Sequence, residues 1–389
     1  MNLVYKNISI PRIISIVLYF PLAIVFKIFS IKTPHFWVEK IGHLAADPDS
    51  FLKEHYLLNG SFPKCVLIAP KNNVANSVMI EYWKKYFLII QNPFLCKLIA
   101  PLSFHPLIKK DEKYSFTWGT ASNFSINTKW KGKDALLKIK EKDHISGRKI
   151  LMKMGLQESD WFVCIHIRSA GYDDPEESHI HTFRNPTNES YLSAIQFIID
   201  QGGKCIRMGD KTMTPMAPME GLIDYAVSSN KSAFMDIFLT SECLFFLGSA
   251  SGLSEVANVF GTPTALANLA PLSNCGKTFK DLSIPMLYSK TSNNDYFSFP
   301  QIMSSEMGNL RRTEEFENAG VTLIHNTSDE IKDLAIEQFQ RVTNTFILNK
   351  ENETLQQQFK DLFKQGHYSF GYSSRIGEKF LKKHSDLFN

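Results

Sequence analysis

Short apolar runs alternating with stretches of helical spacing fill the second half of this chain, and that alternation limits its fold more than any other feature. The runs are Trp161–Ile167, Lys204–Gly209, Cys243–Gly248 and Thr262–Asn268. Between them lie helical patterns over 188–200, with Asn188 as its cap, over 232–242 and over 253–260, the last closed by Gly261. Continuous apolar strands separated by helices imply a parallel sheet covered on both faces, the doubly wound Rossmann-like arrangement. A further strand is expected over 321–326, then a helix capped by Ser328 and a polar helical tail.

The first half alternates less regularly. A helix is expected over 36–57, with Asp47 or Asp49 capping it and Pro48 in its first turn. The D-P-D there looks like an acidic metal motif, but capping explains it better, since metal carboxylates of that kind normally follow a strand. Strands are expected over Lys64–Pro70 and Phe87–Gln91, with helices around 78–86 and from Asn92. Residues 111–133 are polar and read as a loop facing a cleft or partner. The charged helical stretch over 133–155 would connect the halves.

Residues Ile13–Phe26 carry no charge and are flanked by Arg12 and Lys27. A spanning helix needs about 20 apolar residues, so this stretch is short for one, and no small-residue cleavage site follows it. Its basic flanks, Lys6, Arg12, Lys27 and Lys32, suit a helix lying in an anionic membrane interface; a buried first helix is the other reading. The six cysteines are scattered without a C-x-x-C pair, which points to reduced thiols in a cytoplasmic protein rather than a disulfide framework or zinc site. A net charge of +4 on 389 residues, with 44% hydrophobic residues, excludes a disordered chain and gives no support to nucleic-acid binding.

Ligands of open parallel sheets bind at the carboxyl ends of the strands. There the chain places His166, Arg168 and Asp173–Asp174 after one run. Arg207, Gly209 and Asp210 follow another, and Gly248, Ser249, Ala250, Ser251, Gly252 and Leu253 lead directly into a helix. Small residues before a helix, with its unpaired first-turn N–H groups and dipole, form a phosphate site; the alternative is an ordinary turn capped by Ser249 or Ser251. Ser254 could add a further hydroxyl. Arg168 suits an anionic ligand, or a salt bridge to Asp173 or Asp174. His166, alternating with Ile165 and Ile167, reads as structural, and Arg207 as half-buried against a carboxylate. His179 and His181 form an H-x-H without an evident third ligand, so no metal is expected from it. There is no P-loop and no G-x-G-x-x-G.

Taken together, H-x-R after one strand, G-D after another and F-L-G-S-A-S-G-L-S before a helix resemble the fucosyltransferase-like glycosyltransferases. A closer resemblance is to a bacterial glycosyltransferase family of surface-polysaccharide type. It rests on I-G-H-L-A (41–45), R-N-P…Y…A-I (184–195), G-G-K-C-I-R-M-G-D (202–210), F-F-L-G-S-A-S-G-L (245–253) and F-G-T-P (260–263), within roughly residues 38–345. The resemblance implies a GT-B-like α/β architecture of two Rossmann-like doubly wound domains with a cleft between them, to which the apolar run adds an N-terminal apolar helix. The expected divisions are an apolar and basic segment (1–36), an acceptor domain (37–155), a nucleotide-sugar donor domain (156–345) and a polar helical tail (346–389).

The same resemblance implies transfer of a sugar from a nucleotide-sugar to a glycan or lipid-linked acceptor, without a divalent metal or bound cofactor. The expected setting is the inner face of the cell membrane, with residues 13–31 as the contact. Arg168, Ser249, Ser251 and the 248–252 backbone would hold the donor diphosphate, and Asp210 the nucleoside. Asp173, Asp174 and Glu177 are the candidates for the base. A sugar-nucleotide epimerase or hydrolase would use the same phosphate site, and an inactive membrane-associated scaffold would need none of it.

Overall fold

A computed structural model describes residues 12–108, 119–169, 179–274 and 276–389. The chain parts into two compact units, residues 1–130 and 131–389.

In the first unit, helix α1 (Arg12–Ile28) precedes the long helix α2 (Ile41–Asn59). Strand β1 (Cys65–Ile68), helix α3 (Ser77–Trp83), strand β2 (Phe87–Ile90) and helix α4 (Pro93–Ile99) come next, then helix α5 (Gly119–Lys129). β1 and β2 pair in parallel, and Lys32 bridges to Cys65 on the other side. This is one βαβ unit of the kind expected there; a larger doubly wound sheet is not seen among the described residues. Asn76 and Asn92 cap α3 and α4 by accepting two backbone N–H groups each.

Two expectations fail in this unit. Residues 119–129 of the expected polar loop form α5. Nor do Asp47 and Asp49 cap a helix, because α2 begins at Ile41 and carries Pro48 in its interior. A proline there removes the N–H that would reach the carbonyl of Leu44 four residues earlier. The indole Nε1–H of Trp83 donates to that carbonyl instead, at 2.8 Å. The two aspartates lie buried inside the unit. Asp49 pairs with Lys53 at 2.6 Å, and Lys53 also donates to Asn127 Oδ1 at 2.8 Å. Asp47 takes His43 Nδ1 at 3.0 Å and Asn123 Nδ2 at 3.4 Å. The D-P-D thus fastens α2 to α5, with each buried charge given a partner.

In the second unit, helix α6 (Glu141–Lys153) leads into strand β3 (Phe162–His166), helix α7 (Leu192–Asp200), and strands β4 (Lys204–Arg207) and β5 (Leu222–Ile223). Helix α8 (Ala233–Glu242), strand β6 (Phe246–Gly248), helix α9 (Gly252–Phe260) and strand β7 (Thr264–Leu269) continue it. Next come strands β8 (Leu282–Pro285) and β9 (Leu287–Lys290), helices α10 (Phe299–Met303) and α11 (Thr313–Asn318), and strand β10 (Val321–Ile324). Helices α12 (Ser328–Val342) and α13 (Lys350–Asp361), strand β11 (Arg375–Ile376) and helix α14 (Glu378–Lys383) complete it.

Seven strands form one sheet in the order β11-β8-β7-β6-β3-β4-β5, every neighbouring pair parallel. The chain starts in the middle at β3, winds outward through β4 and β5, returns to the other side of β3 at β6, and winds outward again. That reversal is the signature of the doubly wound fold. One apolar layer contains Val163, Ile165, Ile195, Leu247 and Ala265; Phe162, Cys164, Ile206, Phe238 and Phe246 belong to another. The strand expected at 321–326 lies outside this sheet, since β10 pairs antiparallel with β9. The C-terminal tail supplies the edge strand β11 and buries Phe359, Phe363, Phe380 and Leu381 in the core. Thr327, not Ser328, caps α12, in a reciprocal box with Glu330.

Trp83→Phe should cost about 1–3 kcal/mol in urea unfolding, because the Leu44 carbonyl is left buried without a donor. Adding Pro48→Ala, which restores the missing N–H, should recover most of that loss; a double variant no better than Trp83→Phe alone would refute the compensation.

Candidate functional site

The sheet reverses between β3 and β6, where His166 faces Gly248 in register. The crevice outside the strand ends at such a point is where this fold takes its ligands. Both strands stop together there, and the Ser249 N–H donates to the His166 carbonyl at 3.2 Å. A Cβ at position 248 would lie 2.2 Å from that carbonyl oxygen, so glycine is required for the close strand approach. The role of Gly248 is to join the two strand ends.

Helix α9 begins immediately after this turn. Ser251 caps it, its hydroxyl accepting the Ser254 N–H while Ser254 Oγ accepts the Ser251 N–H. The hydroxyls of Ser251 and Ser254, candidates for a ligand, are therefore engaged in the cap. The N–H groups of Gly252 and Leu253, at the first two helical positions, have no partner among the described residues. The side chains of Ala250 and Leu253 pack against the core, leaving these positions only their backbone to offer a ligand.

Ser249 Oγ is buried without a hydrogen-bond partner among the described residues, and so are the Tyr191 hydroxyl and Asn268 Nδ2. Burial pushes the Tyr191 phenol up to about 12, and nearby Ser249 and Asn268 moderate that rise without reaching full hydrogen-bond geometry. Three unsatisfied polar groups thus gather beside the β6–α9 turn.

Charges converge on the same place. His166 is buried and pushed down to about 4, first by burial and next by the positive charge of Arg168; Arg207 and Lys231 act in the same direction and Asp210 against it. The imidazole is accordingly neutral near pH 7, and its Nδ1 has no hydrogen-bond partner among the described residues. Arg168 lies two residues beyond, half-buried at the tip of β3.

The structure separates the other candidates. Arg207 is fully buried rather than half-buried, and its Nη1 donates to both oxygens of Asp224 at 2.9 and 3.0 Å. It is a structural cation joining β4 to the segment after β5, which argues against its assignment to the donor. Asp210 Oδ1 accepts the N–H and hydroxyl of Thr212 in a local turn. Gly209 has φ +153°, and a Cβ there would meet Met213 Sδ at 2.2 Å. His181 Nδ1 contacts the Arg311 carbonyl at 3.0 Å, tying the H-x-H loop to the protein body. No group of metal-ligating side chains occurs among the described residues. Asp173, Asp174 and Glu177 lie outside the described residues.

Sequence reasoning missed Asp224, Lys231, Tyr191 and Asn268. A buried arginine requires a carboxylate, so Asp224 had a signal in Arg207, but the two-residue strand β5 that presents it is too short to recognise. Lys231 pairs with Asp236 at 2.9 Å beside Tyr225, whose hydroxyl donates to the same carboxylate. Nothing local marks Lys231 or Asn268, whose importance arises from packing.

The described residues thus form an α/β protein whose seven-stranded parallel sheet reverses between β3 and β6, with Arg168 following one strand end and helix α9 the other. No family model and no curated protein matches the chain. Among solved structures it is similar to the glycosyl transferase family 9 protein from Veillonella parvula DSM 2008, at 13% identity and a TM-score of 0.26, over 58% of this chain and 60% of that one. A likeness of that size carries nothing about function.

Folded His166 takes a proton only near pH 4, whereas an unfolded histidine does so near 6.5. Its contribution to stability is therefore complete above pH 6.5 and falls as pH drops toward 4, by about 3 kcal/mol in all. His166→Gln should flatten the measured stability–pH curve in that window, and an unchanged slope would contradict the assignment. Asp224→Asn should cost about 3 kcal/mol in chemical denaturation, because it leaves Arg207 buried without its counter-charge.

Proposed function

We propose that this chain is a metal-independent glycosyltransferase that moves a sugar from a nucleotide-sugar to a glycan or lipid-linked acceptor in surface polysaccharide synthesis. The observation that carries this reading is the coincidence of Arg168 and the unpaired N–H groups of Gly252 and Leu253 with the reversal of the sheet. A guanidinium and a helix start following two adjoining strand ends suit a pyrophosphate. Ser254 Oγ is committed in both directions, accepting the Ser251 N–H and donating to the Ser251 carbonyl, whereas Ser251 Oγ only accepts in the cap and keeps its proton to donate to a ligand beside the backbone of α9. The remaining oxygen of Asp210 is left for the nucleoside.

In the transfer, the bond between the anomeric carbon and the donor's phosphate oxygen breaks, and a bond to the acceptor oxygen forms. The acceptor's proton passes to a base, for which Asp173, Asp174 and Glu177 are the candidates. Negative charge builds on the departing diphosphate, where Arg168 and the α9 N–H groups would stabilise it. Such fixed donors act in the transition state without reorganising, and losing one costs about 10²–10³ in rate. A lipid-linked acceptor would set the enzyme against a membrane, peripheral to the inner face, through residues 13–31.

The test is a thermal-shift screen of the full chain against nucleoside diphosphates, followed by a transfer assay with the one that stabilises it. Arg168→Ala should abolish the stabilisation and lower transfer about 10²–10³-fold. Diphosphate release that depends on added glycan separates transfer from epimerisation or hydrolysis. Intact nucleotide binding in Arg168→Ala would remove the donor-site assignment.

A further inference from the structure

Helix α1 turns only a narrow stripe inward. Tyr19 and Ala23 are buried against Leu102, with Phe26, Ile99 and Leu107 packed around them. The rest of its circumference is apolar and exposed, with Ile13 77% and Val17 69% accessible and Leu18 and Val25 exposed beside them. The 93–104 segment on which α1 rests repeats the pattern: Phe94 is 72% accessible, and Leu98 is exposed as well. Two neighbouring elements of the first unit thus present apolar side chains outward, although single exposed hydrophobics are the rule on soluble surfaces.

Charge along the sequence follows the same division, although Lys84 pairs with Glu81 just outside it. Residues 1–38 and 82–110, which contain both elements, hold nine lysines and arginines and no aspartate or glutamate. The rest of the chain carries 34 basic against 39 acidic residues, so its balance is negative. A basic, acid-free surround complements an anionic partner, and exposed apolar side chains beside it need that partner to be apolar inside, which a lipid leaflet is.

No helix among the described residues is long and apolar enough to cross a membrane, and the 17 residues of α1 reach only about 26 Å. We infer that α1 and α4 together form a platform that inserts into one leaflet of an anionic lipid bilayer, with Lys27 and Lys97 at the headgroups. Helices of this type lie in the interface with the apolar side buried about 5–10 Å deep. The inference goes beyond the helix over residues 13–31 by making α4 an equal part of the contact, and it does not depend on the sugar-transfer reading.

The test is co-sedimentation of the full chain with vesicles of phosphatidylcholine alone and with about 30% phosphatidylglycerol. Binding should require the anionic lipid and weaken as salt is raised. Neutralising both lysines (K27Q with K97Q) should lower partition about thirty-fold, and F94S with L98S should lower it at least about tenfold. All four positions are exposed, so unchanged melting and an unchanged nucleoside diphosphate response show that any loss belongs to the lipid contact alone. Three outcomes would overturn the inference. They are equal binding to pure phosphatidylcholine, full binding by the F94S and L98S variant, and a lipid-free dimer that this variant dissociates.

Discussion

The contact between the ends of β3 and β6 governs the second unit. A parallel sheet wound outward in both directions must reverse somewhere, and here it does so with the His166 carbonyl against the Gly248 backbone. From that pair the two loops diverge, one carrying Arg168 and the other becoming the start of α9. The positions of the cation and of the unpaired N–H groups are consequences of a strand pairing that only glycine permits.

Polar groups around that crevice divide by whether the fold already engages them. Arg207 is held by Asp224, Lys231 by Asp236, and Ser251 and Ser254 by each other. Such groups stabilise the scaffold and shape its field, and of them the Ser251 hydroxyl, which only accepts in the cap, keeps a proton to donate. Ser249 Oγ, the Tyr191 hydroxyl, His166 Nδ1 and the first N–H groups of α9 are left over, in a region where unsatisfied polar atoms are costly. A ligand or ordered water that pairs with them recovers that cost. Burial keeps His166 neutral near pH 7, so it adds no charge to that of Arg168 and Arg207 nearby.

The first unit solves a different problem with similar means. Its longest helix accepts an internal proline because a tryptophan from α3 supplies the missing donor, and it buries two carboxylates because α5 and Lys53 pair with them. These compensations bind three helices into one body. On another part of the same unit, α1 and α4 leave apolar side chains outward.

The sequence by itself determined the periodic elements. Strands β3, β4, β6 and β7, helices α8 and α9, and the Gly261 cap arise from apolar runs and capping residues, because those signals act over a few residues. It also located Arg168 and the 248–253 turn at strand ends. Tertiary structure decided which polar groups remained available. Ser251 could equally cap a helix or bind a ligand, Arg207 could face an anion or a carboxylate, and Asp47 could begin a helix or anchor one. In each case the choice depended on a partner between three and 76 positions away. The two-residue edge strand β11 was too short to recognise, and β10, though expected as a strand, was hidden in its partner, since an apolar run marks a strand without saying which strand it pairs with. Local periodicity fixes where strands and helices form, whereas hydrogen-bond partners are allotted only when the whole chain has packed.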